Sequence, residues 1–179
     1  MATAVSLWFD PALETRIREL WSELARLEIC TILHRGPYRP HITLGVWEIN
    51  PEPQCEAELR KTAQALQSVP ISFNSIGLFP GEEGVAFLAP VVTAALLGIH
   101  GQIHSCMGQF QAPTVPYYRP GAWTPHCTMS WQTTPQQALR AAAQLMTDFK
   151  NLRGEVAAIG LIEIPAEIER CCIQLLPKV

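Results

Sequence analysis

Two short stretches of this sequence share one pattern: proline, histidine, any residue, threonine and an apolar residue. They occupy residues 40–44 and 125–129, each near the middle of one half of the 179-residue chain. Each lies in an apolar run typical of a β-strand, and proline is tolerated at the start of a strand. The repeated pattern predicts two equivalent strands, one in each of two similar halves of the chain.

The segments around the two stretches follow one order in both halves: strand, helix, loop, Pro-His-x-Thr strand, helix, strand. Apolar periodicity predicts strands at 5–9, 41–49, 70–78, 84–89, 126–131, 156–164 and 171–176, and helices at 10–27, 56–66, 92–107 and 134–149. This repeat indicates an α+β fold class: a duplicated bilobal fold with two antiparallel-type sheets that face a central cleft, and helices on the outside. A single domain would span 1–179, with approximate lobes 1–83 and 84–179 between which strands can be exchanged.

The composition limits the class of protein. Charged residues make up 16% of the chain and the net charge is −3, which argues against long nucleic acid as a partner but not against a small nucleotide or a short RNA end. The sequence shows neither a signal peptide nor an apolar run of the about 18 residues that a membrane span needs. Six cysteines without a Cys-x-x-Cys pair predict free thiols in a reducing compartment. We therefore expect a cytoplasmic monomer without a membrane partner.

Strand geometry gives the two motifs a direction. Successive strand side chains point to opposite faces, so His41 and Thr43 share one face, and His126 and Thr128 share the corresponding face of their own strand. The apolar members of each motif would then turn into the core. If the halves are related by a pseudo-twofold axis, two imidazoles and two hydroxyls line one cleft.

This set of groups suits the cleavage of a phosphodiester. Imidazole titrates near neutrality, so one histidine can act as the base that activates a nucleophile while the other acts as the acid that protonates the leaving oxygen. Threonine hydroxyls can donate hydrogen bonds to phosphate oxygens without adding charge. The chemistry requires no metal and no cofactor. A single His-x-Thr is more often structural, but two copies in equivalent places favour catalysis.

With these paired motifs in a duplicated α+β pattern, the sequence resembles the two-histidine (2H) phosphoesterases, which include 2′-5′ RNA ligase-like proteins and cyclic phosphodiesterases. The resemblance implies that His41 and His126 are the catalytic pair and that Thr43 and Thr128 bind the phosphate. It also implies a bilobal fold around a cleft, and substrates such as 2′,3′-cyclic phosphates, ADP-ribose cyclic phosphate or 2′-5′ linkages. It does not select one of these substrates.

Several further residues are candidates for the substrate rim. Aromatic rings can stack on a base, and arginine can bind phosphate. The alternative is that these side chains pack their loops. The candidates are Tyr38 before the first motif, Trp47 with the strand parity of His41, and Tyr118 and Arg119 before the second motif.

Two other histidines, His100 and His104, are four residues apart on a predicted helix, a spacing that can hold a metal ion on one face. No convincing third ligand accompanies them, so we predict a solvated helix face and no metal site.

We therefore predict a metal-independent phosphodiesterase, a phosphoric diester hydrolase that acts on a cyclic phosphate or a 2′-5′ linkage. Two alternatives stay open. One is a nucleotide-binding module without turnover, and the other is RNA end-joining in the same site.

Overall fold

The predicted succession of strands and helices is present in the structure, a computed structural model that describes residues 2–49, 53–110, 115–148, 150–166 and 168–177. The strands are β1 (Ala2–Phe9), β2 (His41–Trp47), β3 (Val69–Phe79), β4 (Gly84–Pro90), β5 (Cys127–Thr133), β6 (Leu152–Ile164) and β7 (Ile168–Gln174). The helices are α1 (Pro11–Arg26), α2 (Ile32–Arg35), α3 (Pro53–Ala63), α4 (Ala94–Gly108) and α5 (Pro135–Asp148), and a 3-10 turn covers Pro116–Tyr118. The short helix α2 lies between the first predicted helix and the first motif strand, where the repeated order predicts a loop. No helix in these ranges is long and apolar enough to cross a membrane.

The strands form one antiparallel sheet in the order β2-β1-β6-β3-β4-β5, with β7 paired to β6. The α+β class is confirmed, but the two predicted sheets are continuous. The reason is the length of β6, whose 13 residues pair with β1 along one edge. Along its other edge, β6 pairs first with β3 over Leu152–Val156 and then with β7 over Ala158–Glu163. Strands from both halves of the chain are therefore interleaved in the sheet.

Helix α1 shows how local sequence positions an element against the sheet. Asp10 caps the helix, because its side chain accepts hydrogen bonds from the main-chain N–H groups of Ala12 and Leu13, both at 3.0 Å. Pro11 occupies the first turn, where its missing N–H has no cost. The buried side chains recur at helical spacing and pack on one face of the sheet: Leu13, Ile17, Trp21 and Leu24.

The two faces of the sheet differ in composition. One face carries the main core, and it receives the four apolar motif residues Ile42, Leu44, Cys127 and Met129, each with no exposed area. The opposite face carries a smaller apolar cluster around Trp8 and Ala158. The predicted burial of the apolar motif residues is confirmed, and we call the opposite face, which carries the histidines and threonines, the cleft face.

Candidate active site

The two motif histidines are anchored in the same way. The Nδ1–H of His41 donates to the main-chain carbonyl of Arg39 at 2.7 Å, and that of His126 donates to the carbonyl of Thr124 at 2.8 Å. In each case the acceptor lies two residues earlier, with the motif proline between. Proline keeps the residue before it extended, which fixes this carbonyl beside the ring. A carbonyl can only accept, so Nδ1 holds the proton and the neutral ring keeps its lone pair on Nε2.

Strands β2 and β5 lie at opposite ends of the sheet order, yet the structure brings the two motifs close together. The thiol of Cys127 lies near the main chain of His41. Burial raises the pKa of this thiol to about 12, and the smaller effect of the His41 main chain opposes the shift. The sheet therefore curves until its two end strands approach each other.

Tyr118 connects the two motifs. Its phenol lies near the side chain of Thr43, and its ring is stacked towards His126 with the ring centroids 6.5 Å apart. Burial and the neighbouring Tyr117 raise the pKa of Tyr118 to about 12, although the side chain of Thr43 opposes the shift. The phenol is therefore neutral near pH 7 and can donate a hydrogen bond. Of the predicted rim residues, Tyr118 is the one that the structure places between the motifs.

Both histidines lie in surroundings that disfavour a charge. Burial lowers the pKa of His41, the hydrogen bond to Arg39 raises it, and the nearby His126 lowers it again. Burial also lowers the pKa of His126, against the opposing effect of its bond to Thr124. Because the charge of one imidazole acts on the other, the free protein resists protonation of both rings at once.

Aromatic rings surround His126 on the cleft face, and the sequence did not predict them as part of the site. Phe79 meets the imidazole edge-on at a centroid distance of 4.7 Å, and Phe87 lies 5.3 Å away. The two phenyl rings stack on each other at 4.4 Å. Phe87 is the cross-strand partner of Thr128, a pairing between β4 and β5 that no local pattern reveals. These apolar rings contribute to the burial that lowers the pKa of His126.

The prediction that Trp47 lies at the cleft is wrong. Trp47 has no exposed area and belongs to the main core on the opposite face. The register between β1 and β2 shifts at this point, since Ser6 pairs with Thr43 but Val5 pairs with Gly45. This β-bulge reverses the alternation of side chains beyond Leu44. Gly45 within β2 was the sequence signal for this bulge, because glycines inside strands often mark bulges.

The remaining rim candidates differ in position. Tyr38 packs edge-on against Trp131 at a centroid distance of 5.7 Å and borders the main core, which supports the packing alternative. Arg119 ends the 3-10 turn with an exposed side chain, one residue after Tyr118. The rim role of Arg119 stays a prediction.

The predicted solvated face with His100 and His104 is also wrong. His100 is only 2% exposed, and its Nε2–H donates to the carbonyl of Tyr118 at 2.8 Å. The Nε2–H of His104 donates to the carbonyl of Leu44 at 3.0 Å. The two rings therefore fasten α4 to the first motif strand and to the turn that carries Tyr118. Within the described part of the chain, no group of three His, Cys, Asp or Glu side chains could hold a metal ion.

With this geometry established, comparison with known proteins identifies the family. The family model of the 2′-5′ RNA ligase superfamily matches residues 9–166, a span that contains both motifs. The chain belongs to the 2′-5′ RNA ligase superfamily. The resemblance to 2H phosphoesterases inferred from the motifs is thereby confirmed, and the family is one of phosphoesterases and ligase-like proteins.

Solved structures share the fold of this superfamily member. The protein TT0787 of Thermus thermophilus aligns over 100% of both chains with a TM-score of 0.65 and 14% identity. E. coli LigT in apo form gives a TM-score of 0.64 at 11% identity, over 98% of this chain and 97% of that one. Usb1 of Kluyveromyces marxianus gives 0.57 at 12% identity with the same coverage. At these identities the likeness concerns the fold alone. No curated protein sequence matches the chain.

Proposed function

We propose that this protein is a metal-independent phosphodiesterase that hydrolyses a cyclic phosphate or a 2′-5′ phosphodiester. The cyclic substrates would be a 2′,3′-cyclic nucleotide or ADP-ribose 1″,2″-cyclic phosphate. One observation carries the proposal: both motif histidines commit Nδ1–H to a carbonyl two residues earlier and keep Nε2 for chemistry. The two imidazoles are held in the same way and are close enough to influence each other. Such a pair can act as the base and the acid on either side of one phosphorus.

The proposed reaction with a cyclic phosphate needs one neutral and one protonated ring. The neutral histidine accepts a proton from water through Nε2 while the water oxygen bonds to phosphorus. The phosphorus–oxygen bond to the ribose breaks, and the protonated histidine gives its Nε2 proton to the departing ribose oxygen. The product is a phosphomonoester. After turnover the two rings have exchanged protonation states, and solvent restores them.

Thr43, Thr128 and Tyr118 supply the remaining parts of the proposed site. The threonine hydroxyls would donate to the non-bridging phosphate oxygens, a role that adds no charge. The phenol of Tyr118, held beside Thr43, would add a further donor at the same side. Arg119 at the end of the turn would contact the substrate from the rim. The substrate would be a small nucleotide or a short RNA end, and we propose a monomer that works in the cytoplasm.

One assay panel tests the proposal. EDTA-treated protein is incubated with 2′,3′-cyclic AMP, with ADP-ribose 1″,2″-cyclic phosphate and with 2′-5′ oligoadenylate. His41→Ala and His126→Ala should each lower turnover by roughly 10²–10⁴-fold, the usual contribution of an acid–base group. His34→Ala is the matched control, because His34 is exposed on α2 and should leave turnover unchanged. Near-native activity in a folded His41 or His126 variant would exclude the two-histidine mechanism, and loss of activity in EDTA would indicate a metal.

The panel also separates the two alternatives. RNA end-joining is the reverse chemistry, and the description of the superfamily as RNA ligases favours it as the second candidate. A joined product from RNA fragments with 2′,3′-cyclic phosphate and 5′-hydroxyl ends would identify a ligase. A nucleotide-binding module would instead bind without releasing product. Usb1 of Kluyveromyces marxianus has been solved with uridine monophosphate, at 15% identity to this chain, which supports nucleotides as the first ligands to test.

A further inference from the structure

We propose that Trp21 and Trp123 are positioning residues for the two motifs, each holding the strand that carries the motif of the other half. The inference rests on the proposed function for its kinetic consequence. Its structural part, the placement of the two imidazoles, can be tested without turnover.

The two indoles form reciprocal hydrogen bonds. Trp21 lies on α1 in the first half of the chain, and its Nε1–H donates to the carbonyl of Thr128 at 3.0 Å. Trp123 lies before β5 in the second half, and its Nε1–H donates to the carbonyl of Thr43 at 3.0 Å. The acceptors are the equivalent residues of the two motifs, and in both cases the donor comes from the opposite half.

The position of the motif strands in the sheet explains why such bonds are needed. β2 and β5 end the strand order, so each has one edge that no strand of the described chain pairs. An open edge leaves main-chain carbonyls without partners and allows the strand to move. Side chains take the place of the missing strand here. Next to the indoles, His104 donates to the carbonyl of Leu44 at 3.0 Å, and the thiol of Cys30 contacts the carbonyl of Trp131 at 3.8 Å.

The other buried tryptophans show that a bonded indole is not automatic in this fold. Trp8 and Trp47 are 1% and 0% exposed, and the Nε1 atom of each has no hydrogen-bond partner in the described part of the protein. Trp21 and Trp123 are thus set apart from these two, because their N–H groups meet the carbonyl of a motif threonine.

The Trp123 bond is connected to the rim of the site. The indole of Trp123 stacks on His100 at a centroid distance of 4.0 Å with the rings 4° from parallel. His100 in turn donates to the carbonyl of Tyr118 at 2.8 Å, and the phenol of Tyr118 lies near the side chain of Thr43. A closed set of contacts therefore fixes the first motif and Tyr118 relative to each other.

The catalytic consequence follows from geometry. The carbonyl that each indole holds belongs to the threonine that would bind phosphate, and the motif histidine stands two residues away on the same face. A shift of the strand moves both groups together. Displacement of catalytic groups by about 1 Å can cost about 10²-fold in rate. Loss of either indole hydrogen bond should therefore lower kcat more than it raises KM.

The experiment compares Trp21→Phe and Trp123→Phe in the full chain. The Hε1 signals of His41 and His126 are followed by NMR in a pH titration of each free protein, with assignments from His→Gln variants. kcat and KM are measured with 2′,3′-cyclic AMP. We expect Trp21→Phe to shift the titration of His126 more than that of His41, and Trp123→Phe to do the reverse. With 2′,3′-cyclic AMP, kcat should fall roughly 10–100-fold while KM changes less than about threefold.

Two controls separate the hydrogen bond from packing. Replacement of either tryptophan by β-(3-benzothienyl)alanine keeps the ring size and removes only the N–H, so it should reproduce the crossed pattern. Phe73→Leu removes core packing without touching either motif and should leave both imidazole titrations unchanged. The proposal is overturned if the isostere behaves as the native protein, or if each Trp variant perturbs both histidines equally. If the native protein cleaves no substrate while the crossed NMR pattern is present, the proposed function fails and the positioning role stands.

Discussion

At the scale of single residues, the proton on Nδ1 decides what each histidine can do. The hydrogen bond to a carbonyl two residues earlier fixes the tautomer. Burial then sets how readily Nε2 takes up the proton that converts the neutral ring to imidazolium. The two rings are not independent, since His126 acts on His41. A pH profile therefore reports the pair and not one residue.

The pH dependence of kcat/KM should place its optimum below pH 6.5, the ordinary pKa of histidine. Activity needs one neutral and one protonated ring, and the pKa values of both His41 and His126 are lowered in the free protein. An anionic phosphate in the site stabilises imidazolium, so the optimum of kcat should lie at higher pH. Both profiles can be measured from about pH 4.5 to about pH 9 with one substrate. An optimum of kcat/KM above neutrality would contradict the lowered pKa values.

The threonine hydroxyls should affect substrate binding more than turnover. Thr43→Val and Thr128→Val remove a donor to a charged oxygen, which is worth about 1.5 kcal/mol, so KM should rise about tenfold with a smaller loss in kcat. Thr43→Ser and Thr128→Ser are the matched controls, because they keep the hydroxyl. If the serine variants bind as weakly as the valine variants, the hydroxyls do not hold the phosphate.

Strand parity predicted the direction of the motif side chains but failed a few residues further along the first motif strand. Ile42 and Leu44 are buried in the core as expected, whereas Trp47 is inside and not at the cleft. Counting residues assumes an unbroken strand, and the bulge at Leu44, between Thr43 and Gly45, breaks it. Phe79 escaped prediction for a different reason, because only the long-range pairing of β4 with β5 brings its neighbour Phe87 to the motif.

At the scale of elements, the glycines mark where strands and rings approach too closely for a side chain. A Cβ on Gly160 of β6 would lie 1.9 Å from the carbonyl oxygen of Cys171 on β7 and 2.6 Å from the ring of Trp8. A Cβ on Gly98 of α4 would meet nothing within 4 Å. The two positions form a matched pair for substitution.

Gly160→Ala should destabilise the fold and Gly98→Ala should stabilise it. The first forces a main-chain oxygen and an indole to move, which costs about 1–3 kcal/mol or more. The second replaces a glycine inside a helix by a better helix former, worth about 0.5–1 kcal/mol. Midpoints of urea unfolding measure both effects on the same scale. Shifts in the same direction for both variants would show that the contact around Gly160 does not control stability.

The longer helices α1, α3, α4 and α5 were predictable from periodicity, but the role of α4 was not. Its apolar stripe predicted a core-facing helix correctly, with Ile99 and Ile103 buried. The same pattern placed His100 and His104 on a solvated face. Periodicity cannot recognise that the open edge of β2 and the turn before β5 supply carbonyls for both imidazoles.

For the molecule as a whole, buried histidines couple stability to pH. Burial lowers the pKa values of His41, His100, His104 and His126 in the folded protein. The unfolded chain therefore binds protons first as the pH falls past 6.5. The free energy of unfolding should decrease from there until the folded protein also takes up protons, by at most about 1.4 kcal/mol per pH unit for each histidine.

Urea unfolding at pH values between about 7.5 and about 5.5 measures this slope above the range where carboxylates titrate. His100→Gln should make the slope shallower, because it removes one of the groups that protonate only on unfolding. A stability that stays constant or rises over this interval would show that these histidines are already charged in the folded state.

The class of the fold could be predicted from the repeated order of strands and helices, and the face of each motif from its alternation. The continuity of the sheet could not, because pairing between distant strands leaves no local trace. With 13 residues, β6 is long enough to pair with two strands along one edge, but its length does not indicate that these strands are β3 and β7.

The shared use of β6 also bears on how the chain folds as it is synthesised. β1 is synthesised long before the strand that it pairs with, residues 156–164 of β6. β3 likewise pairs with the beginning of β6. The strands β1 and β3 of the first half therefore cannot complete their pairing until β6 of the second half has been synthesised. Contacts between such distant segments also slow folding, so the sheet is completed only after β6 has become available to β1 and β3.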